Sequence, residues 1–171
     1  MCEYCGCQSL TSIDELTREH ELVVALISEV REARRDGDLP RMAATARRIA
    51  GVLGPHTEVE EHGLFPALTA DFPDQIAALE DEHRRIEAVL AEAGGPDGPD
   101  GPDGADPAGA PVVPADPSWP RRLEEALAVL RDHILKEQDG VFPAALALLA
   151  TEEWEAVEAV RQRVGTRLPA A

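Results

Sequence analysis

Apolar residues recur three and four positions apart over most of the chain, a pattern that predicts helices rather than strands. From Ser12 the first stripe reads Ile13, Leu16, His20, Val23 or Val24, Ile27 and Val30, and Gly37-Asp38 closes it. Ser12 and Glu15 have the spacing of a reciprocal N-terminal cap, so the first helix is expected to start there. A second helix, from Asp38 and Pro40, carries Met42, Ala46, Ile49, Leu53, His56, Glu60 and Leu64 on its inward stripe. Gly54-Pro55 lies inside it, and proline should kink the helix just before His56, with Pro66 closing or bending the segment. A third helix, starting after Asp71 or Asp74, shows Ile76, Leu79, His83, Ile86 and Leu90. The fourth should start near Ser118, with Pro120 in its first turn and Leu123, Leu127, Leu130, His133 or Ile134, Glu137 and Val141 inward. Thr151 is expected to cap a short terminal helix carrying Trp154, Val157, Val160 and Val164. The fold class is therefore all-α, a four-helix bundle with a short C-terminal helix.

Between the third and fourth helices, residues 94–117 read as a flexible linker. It holds three consecutive Gly-Pro-Asp triplets, Gly95 to Asp103. Three triplets are too few for a collagen helix, and a chain of this length spans roughly 27 Å on average, enough to join neighbouring helices. The expected division is a Cys-rich segment over residues 1–11 and one helical domain over 12–171 that contains the linker.

Composition narrows the partners. The chain has 171 residues, 44% apolar but only 4% aromatic, which suits one helical domain with a real core. Its formal charge is −17. Nucleic acid and anionic membranes both demand a basic surface, so neither is expected as a partner. No stretch approaches the roughly 18–20 apolar residues of a membrane span. The N-terminus has no cationic stretch followed by an apolar run, so no secretion signal is read there and the expected location is the cytoplasm.

The chemistry lies in an internal repeat. The stretch from His56 to Pro66 aligns with that from His133 to Pro143: His, Glu, Gly, Phe and Pro recur at the same offsets. Glu19-His20 and Glu82-His83 also correspond, each on the helix before its partner motif. The plan is a His, then His-x-x-x-Glu, stated twice, which implies two helix pairs about a pseudo-twofold axis. Residues i and i+4 share a helix face, so each imidazole points the same way as its carboxylate. Burying Glu60 and Glu137 is costly unless cations offset them. Glutamates from opposite helices are placed to bridge two metals roughly 3.5–4 Å apart, with His20, His56, His83 and His133 completing the shells. Imidazole and carboxylate fit iron or manganese, with zinc and copper as alternatives. A hydrogen-bonded core histidine is the ordinary account of one inward His. Four on four helices, with two inward Glu, point instead to a metal.

At these residues the chain resembles the hemerythrin-like (HHE cation-binding) family, from about Leu16 to Leu148. The resemblance rests on His20, the run His56 to Pro66, Glu82-His83, and the run His133 to Pro143. It implies an up-down-up-down bundle, a non-haem di-iron centre bridged by carboxylates, and dealings with dioxygen, peroxide, nitric oxide or iron itself. Oxygen-carrying hemerythrins resemble this chain but place a second His one turn after the third-helix His, where this chain has Glu87. They also carry an Asp five residues after the fourth-helix His, where this chain has Gln138. The ligand set looks closer to hemerythrin-like proteins linked to peroxide breakdown or iron handling.

Three smaller features remain. Glu61 and Glu87 are candidates for an additional ligand or an outer support of the centre, though each also suits a charged helix surface. His62 lies well round the helix from His56 and is expected at the surface. Cys2, Cys5 and Cys7 form a tight cluster that suits a second metal or redox site, or a disordered terminus. The expected function is a di-iron protein that binds or reacts with dioxygen, peroxide or nitric oxide, possessing no evident catalytic group beyond the metal ligands. Catalase-like turnover is one form of it. The alternative is iron storage, repair or delivery, with a redox or iron-accepting protein as partner.

Overall fold

A computed structural model describes residues 7–94 and 112–169, and all regular structure among them is helical. Helix α1 spans Cys7–Asp36 and α2 spans Leu39–Val59. A five-residue π-helical segment, Glu60–Leu64, leads into α3 (Phe65–Leu68). Then come α4 (Pro73–Ala91) and α5 (Trp119–Lys136). A second π-helical segment, Glu137–Val141, leads into α6 (Phe142–Leu148), and α7 (Thr151–Val164) follows. The Gly-Pro-Asp triplets, Cys2 and Cys5 lie outside the described residues, and Cys7 lies in α1.

Local chemistry sets most of these boundaries. Gly37 takes φ +70° and the Asp38 N–H reaches back to the Ala33 carbonyl at 2.9 Å, ending α1. Asp38 then caps α2 by accepting from the Arg41 N–H at 3.0 Å. Three details differ from the sequence expectation. Helix α1 already includes Cys7, ahead of Ser12, and no glycine or proline interrupts residues 7–12. Thr151 is the first helical residue of α7; the cap position is Ala150, whose N–H donates to the Glu153 carboxylate at 2.7 Å. The α-helix runs unbroken through Pro55 to Val59, and the change of geometry comes one turn later, at Glu60.

Ion pairs and hydrogen bonds fix how the long helices lie together. Glu29 meets Arg48 and Glu32 meets Arg41, so α1 and α2 run in opposite directions. Glu82–His133 and Glu92–Arg122 show the same for α4 and α5, and Arg34–Glu124 with His20–Glu137 for α1 and α5. No described helix is long and apolar enough to cross a membrane.

The core divides into two apolar clusters, and the division decides where the polar chemistry sits. One contains Val23, Leu53, Ile86 and Ile134; the other contains Leu16, Val59, Leu79 and Phe142. Along each long helix the passage between the clusters crosses an inward histidine or glutamate. A buried polar layer thus spans the bundle between two hydrophobic ones.

Candidate metal centre

Glu60 and Glu137 stand at the middle of that layer, fully buried at 0% exposure. Each begins a π-helical segment. The Glu60 N–H is shared between the His56 and Thr57 carbonyls, and the Glu137 N–H between those of His133 and Ile134. Phe65 and Phe142 then donate five residues back, to the Glu60 and Glu137 carbonyls. Pro66 and Pro143 explain the position of these wide turns, because proline brings no N–H to continue the i→i+4 ladder. The wider turn carries the two phenylalanines over the site. Phe65 stacks on His83 at 5.9 Å and Phe142 on His20 at 5.5 Å.

The four histidines converge through Nε2. His20 Nε2 lies 3.0 Å from His56 Nε2 and 3.1 Å from a Glu137 oxygen. His56 Nε2 is 3.3 Å and His83 Nε2 3.4 Å from Glu60 oxygens, while His133 Nε2 is 2.8 Å from Glu137. Two overlapping sets result. His20, His56, Glu60 and Glu137 offer ligand atoms within 4.8 Å of one another, and so do Glu60, His83, His133 and Glu137. The six residues singled out by the repeat are all buried and brought together, with both glutamates common to the two sets.

Behind the rings lies a second layer of carboxylates. His56 Nδ1 donates to Glu19 at 2.9 Å, His133 Nδ1 to Glu82 at 2.9 Å, and His83 Nδ1 to Glu61 at 2.8 Å. Such bonds fix ring orientation and the tautomer that leaves Nε2 free to ligate. Glu61 therefore sits in an outer position, bonded to a ring rather than grouped with the converging atoms. Glu87 is also outside both sets; it lines a small cavity of about 10 Å³ with the four histidines, Thr57, Leu53, Ile86 and Leu130. His62 is exposed and pairs with Glu58 at 3.3 Å.

These residues fit a metal. Among the described residues the oxygens of Glu60 and Glu137 meet no polar partner except the histidine Nε2 atoms that converge on them, although all four are buried. With Nδ1 protonated on three rings, the centre is a collection of lone pairs. Burial by itself would push His56 and His83 down, but Glu60, Glu19 and Glu137 outweigh it for His56, and Glu60, Glu137 and Glu61 for His83. Their pKa values rise to about 10 and about 9. His133 is raised too, as Glu137 overcomes the effect of burial. Burial likewise opposes ionisation of Glu60, yet His56 and His83 hold it well below the usual carboxylate range. The site demands positive charge, from protons or from cations.

Sequence reasoning did not assign roles to Glu19, Glu82, Phe65 and Phe142. The signal was present, since the Glu-His dipeptide and the phenylalanine both belong to the repeat. Arg161, which holds Glu19 from α7, carries no such signal.

Comparison with known proteins agrees with this geometry. The family model for the hemerythrin HHE cation-binding domain matches residues 11–145. The chain belongs to that family. Neither a curated protein nor a solved structure gives a match to set beside it.

Proposed function

We propose that this chain is a non-haem di-iron protein that binds or reacts with dioxygen, peroxide or nitric oxide. The observation that carries the proposal is the pair of buried glutamates, shared between two histidine pairs, whose four oxygens meet only histidine Nε2 atoms among the described residues. His20 and His56 would hold one ion and His83 and His133 the other, with Glu60 and Glu137 between them. Iron there supplies redox electrons and exchangeable coordination positions. Manganese or zinc suits the same donors less well for that chemistry.

The chain's own residues then select the guest. The cavity beside the histidines, about 10 Å³, has room on the scale of a single water, and Leu53, Ile86 and Leu130 keep one side apolar. That size favours a diatomic or a peroxide over any organic substrate. Phe65 and Phe142 close over His83 and His20 and exclude bulk water. The opposed directions of α1, α2, α4 and α5 support an up-down-up-down order, which places one histidine of the set on each long helix. A role in the cytoplasm, a redox or iron-accepting protein partner, and a metal or redox task for Cys2, Cys5 and Cys7 belong to the same proposal.

The test is to load the protein with iron and add peroxide, nitric oxide and oxygen separately. Rapid oxygen release from peroxide, or a visible spectrum that changes with any of the three, supports the proposal. Inertness toward all three, with transfer of iron to an apo acceptor, replaces it with iron delivery.

A further inference from the structure

We infer that Arg161, on a helix beyond the matched domain, is a positioning residue for one half of the metal centre, acting through Glu19 on the ring of His56. The inference rests on the two-ion reading above.

The chain of contacts is buried and continuous. Arg161 is only 7% exposed. Its Nη1 and Nη2 donate to the two Glu19 oxygens at 2.9 and 2.8 Å, and Thr166 adds a hydroxyl donor at 2.6 Å. The same Glu19 accepts from His56 Nδ1 at 2.9 Å. Arg161 is itself held by the Gly165 carbonyl at 2.8 Å and by Glu15 at 3.3 Å. A bidentate guanidinium–carboxylate pair fixes the carboxylate in plane, which a single ammonium does not do. Burying a guanidinium is expensive, and a simple anchor for α7 could have been built at the surface. This one is spent on the carboxylate that orients a histidine.

The other half is built differently, although the sequence repeat predicts equivalence. Glu82 orients His133, but its cation is Lys136, on the same helix as His133 and with a half-exposed side chain. Glu61 orients His83, whereas its counterpart is Gln138, and His20 Nδ1 makes no hydrogen bond among the described residues. The His83–His133 pair therefore has two outer carboxylates. The His20–His56 pair has Glu19 alone, and Glu19 is held by Arg161. The two ion positions are unequal, and the helix past residue 145 determines one of them.

The experiment is an anaerobic titration of the full chain with Fe(II) against graded chelator, counting bound iron, with Mössbauer spectra of the ⁵⁷Fe-loaded protein. Wild type should take up two equivalents. Arg161→Lys should weaken one equivalent about 10–100-fold, the usual cost of losing an outer-shell partner, and leave the other unchanged. One of the two iron signals should move. Arg163→Ala, an exposed neighbour on α7, should change neither. Arg161→Gln, which keeps Glu19 and a planar N–H donor but not the bidentate fork, should show the same one-site loss, and it decides the matter if Arg161→Lys does not fold. Two equivalents at wild-type affinity in the folded variants would overturn the inference. So would equal weakening of both, which marks a general structural role. Wild type that takes up no iron removes the two-ion reading and this inference with it, before any variant is made.

Discussion

Gly63 and Gly140 occupy the same place in the two copies of the repeat, yet a methyl group should have opposite effects at the two. A Cβ built on Gly63 would lie 3.0 Å from the Val157 Cα and 3.5 Å from its Cγ2. The nearer atom is backbone, so it cannot rotate away, and α7 must shift by some tenths of an ångström. Overpacking of this kind typically costs about 1–3 kcal/mol. For a chain of this size that corresponds to a fall in Tm of about 2–12 °C. Gly140 has nothing within 4 Å of the added atom. There Gly63's counterpart only gives up backbone entropy in a helical segment, so Gly140→Ala should be neutral or up to about 1 kcal/mol more stable. The assay is thermal unfolding of both metal-free variants followed by circular dichroism. Val157 also lies one turn before Arg161, so Gly63→Ala should weaken iron binding as well. Equal Tm values for the two variants, or a loss confined to Gly140→Ala, would refute the reasoning.

Other outcomes follow from the same geometry. His56→Ala or His133→Ala should each lose at least one of the two irons while helicity persists; metal analysis beside circular dichroism checks this, and full iron content in either variant contradicts it. Trp119→Ala should do the reverse. Trp119 is fully buried in the apolar cluster, away from the histidines, so its loss should cost about 3–5 kcal/mol in denaturant unfolding and leave the iron count unchanged. The metal-free protein should lose stability as pH rises. His56 and His83 carry folded-state values of about 10 and about 9, above the unfolded value near 6.5. A raised value stabilises fully below the unfolded pKa, and the gain disappears as pH climbs through the folded one. Tm after chelation should therefore fall between about pH 7 and pH 10; a flat profile would show that these rings are not charged.

Much of this architecture was legible because the relevant constraints are local. Helix spacing set the inward positions of His20, His56, His83 and His133, and i,i+4 geometry placed Glu60 and Glu137 beside two of them. Gly37-Asp38 and Ser118-Trp119-Pro120 marked boundaries by their own backbone chemistry. What escaped was of two kinds. The π-helical turns at Glu60 and Glu137 depend on how a missing proline N–H is absorbed, which the hydrophobic stripe does not record. Pro55 also lacks its N–H, but the helix absorbs it without a break, so the same residue type gave a wrong position for the irregularity. Long-range pairings formed the second kind. Glu19 and Arg161 are far apart in the chain, and no periodicity links them; only packing of α7 against α1 brings them together. The repeat likewise hides the difference between Gly63 and Gly140, because only one of them faces a neighbouring helix.

The central claim is that cations, not protons, complete the buried polar layer. X-ray absorption at the iron edge of protein purified with ample iron tests it most directly, combined with metal counting. The account predicts two irons per chain, ligated by nitrogen and oxygen, with an iron–iron vector near 3.5–4 Å. Fully folded protein that holds no iron under those conditions, or iron without a second iron nearby, would contradict it.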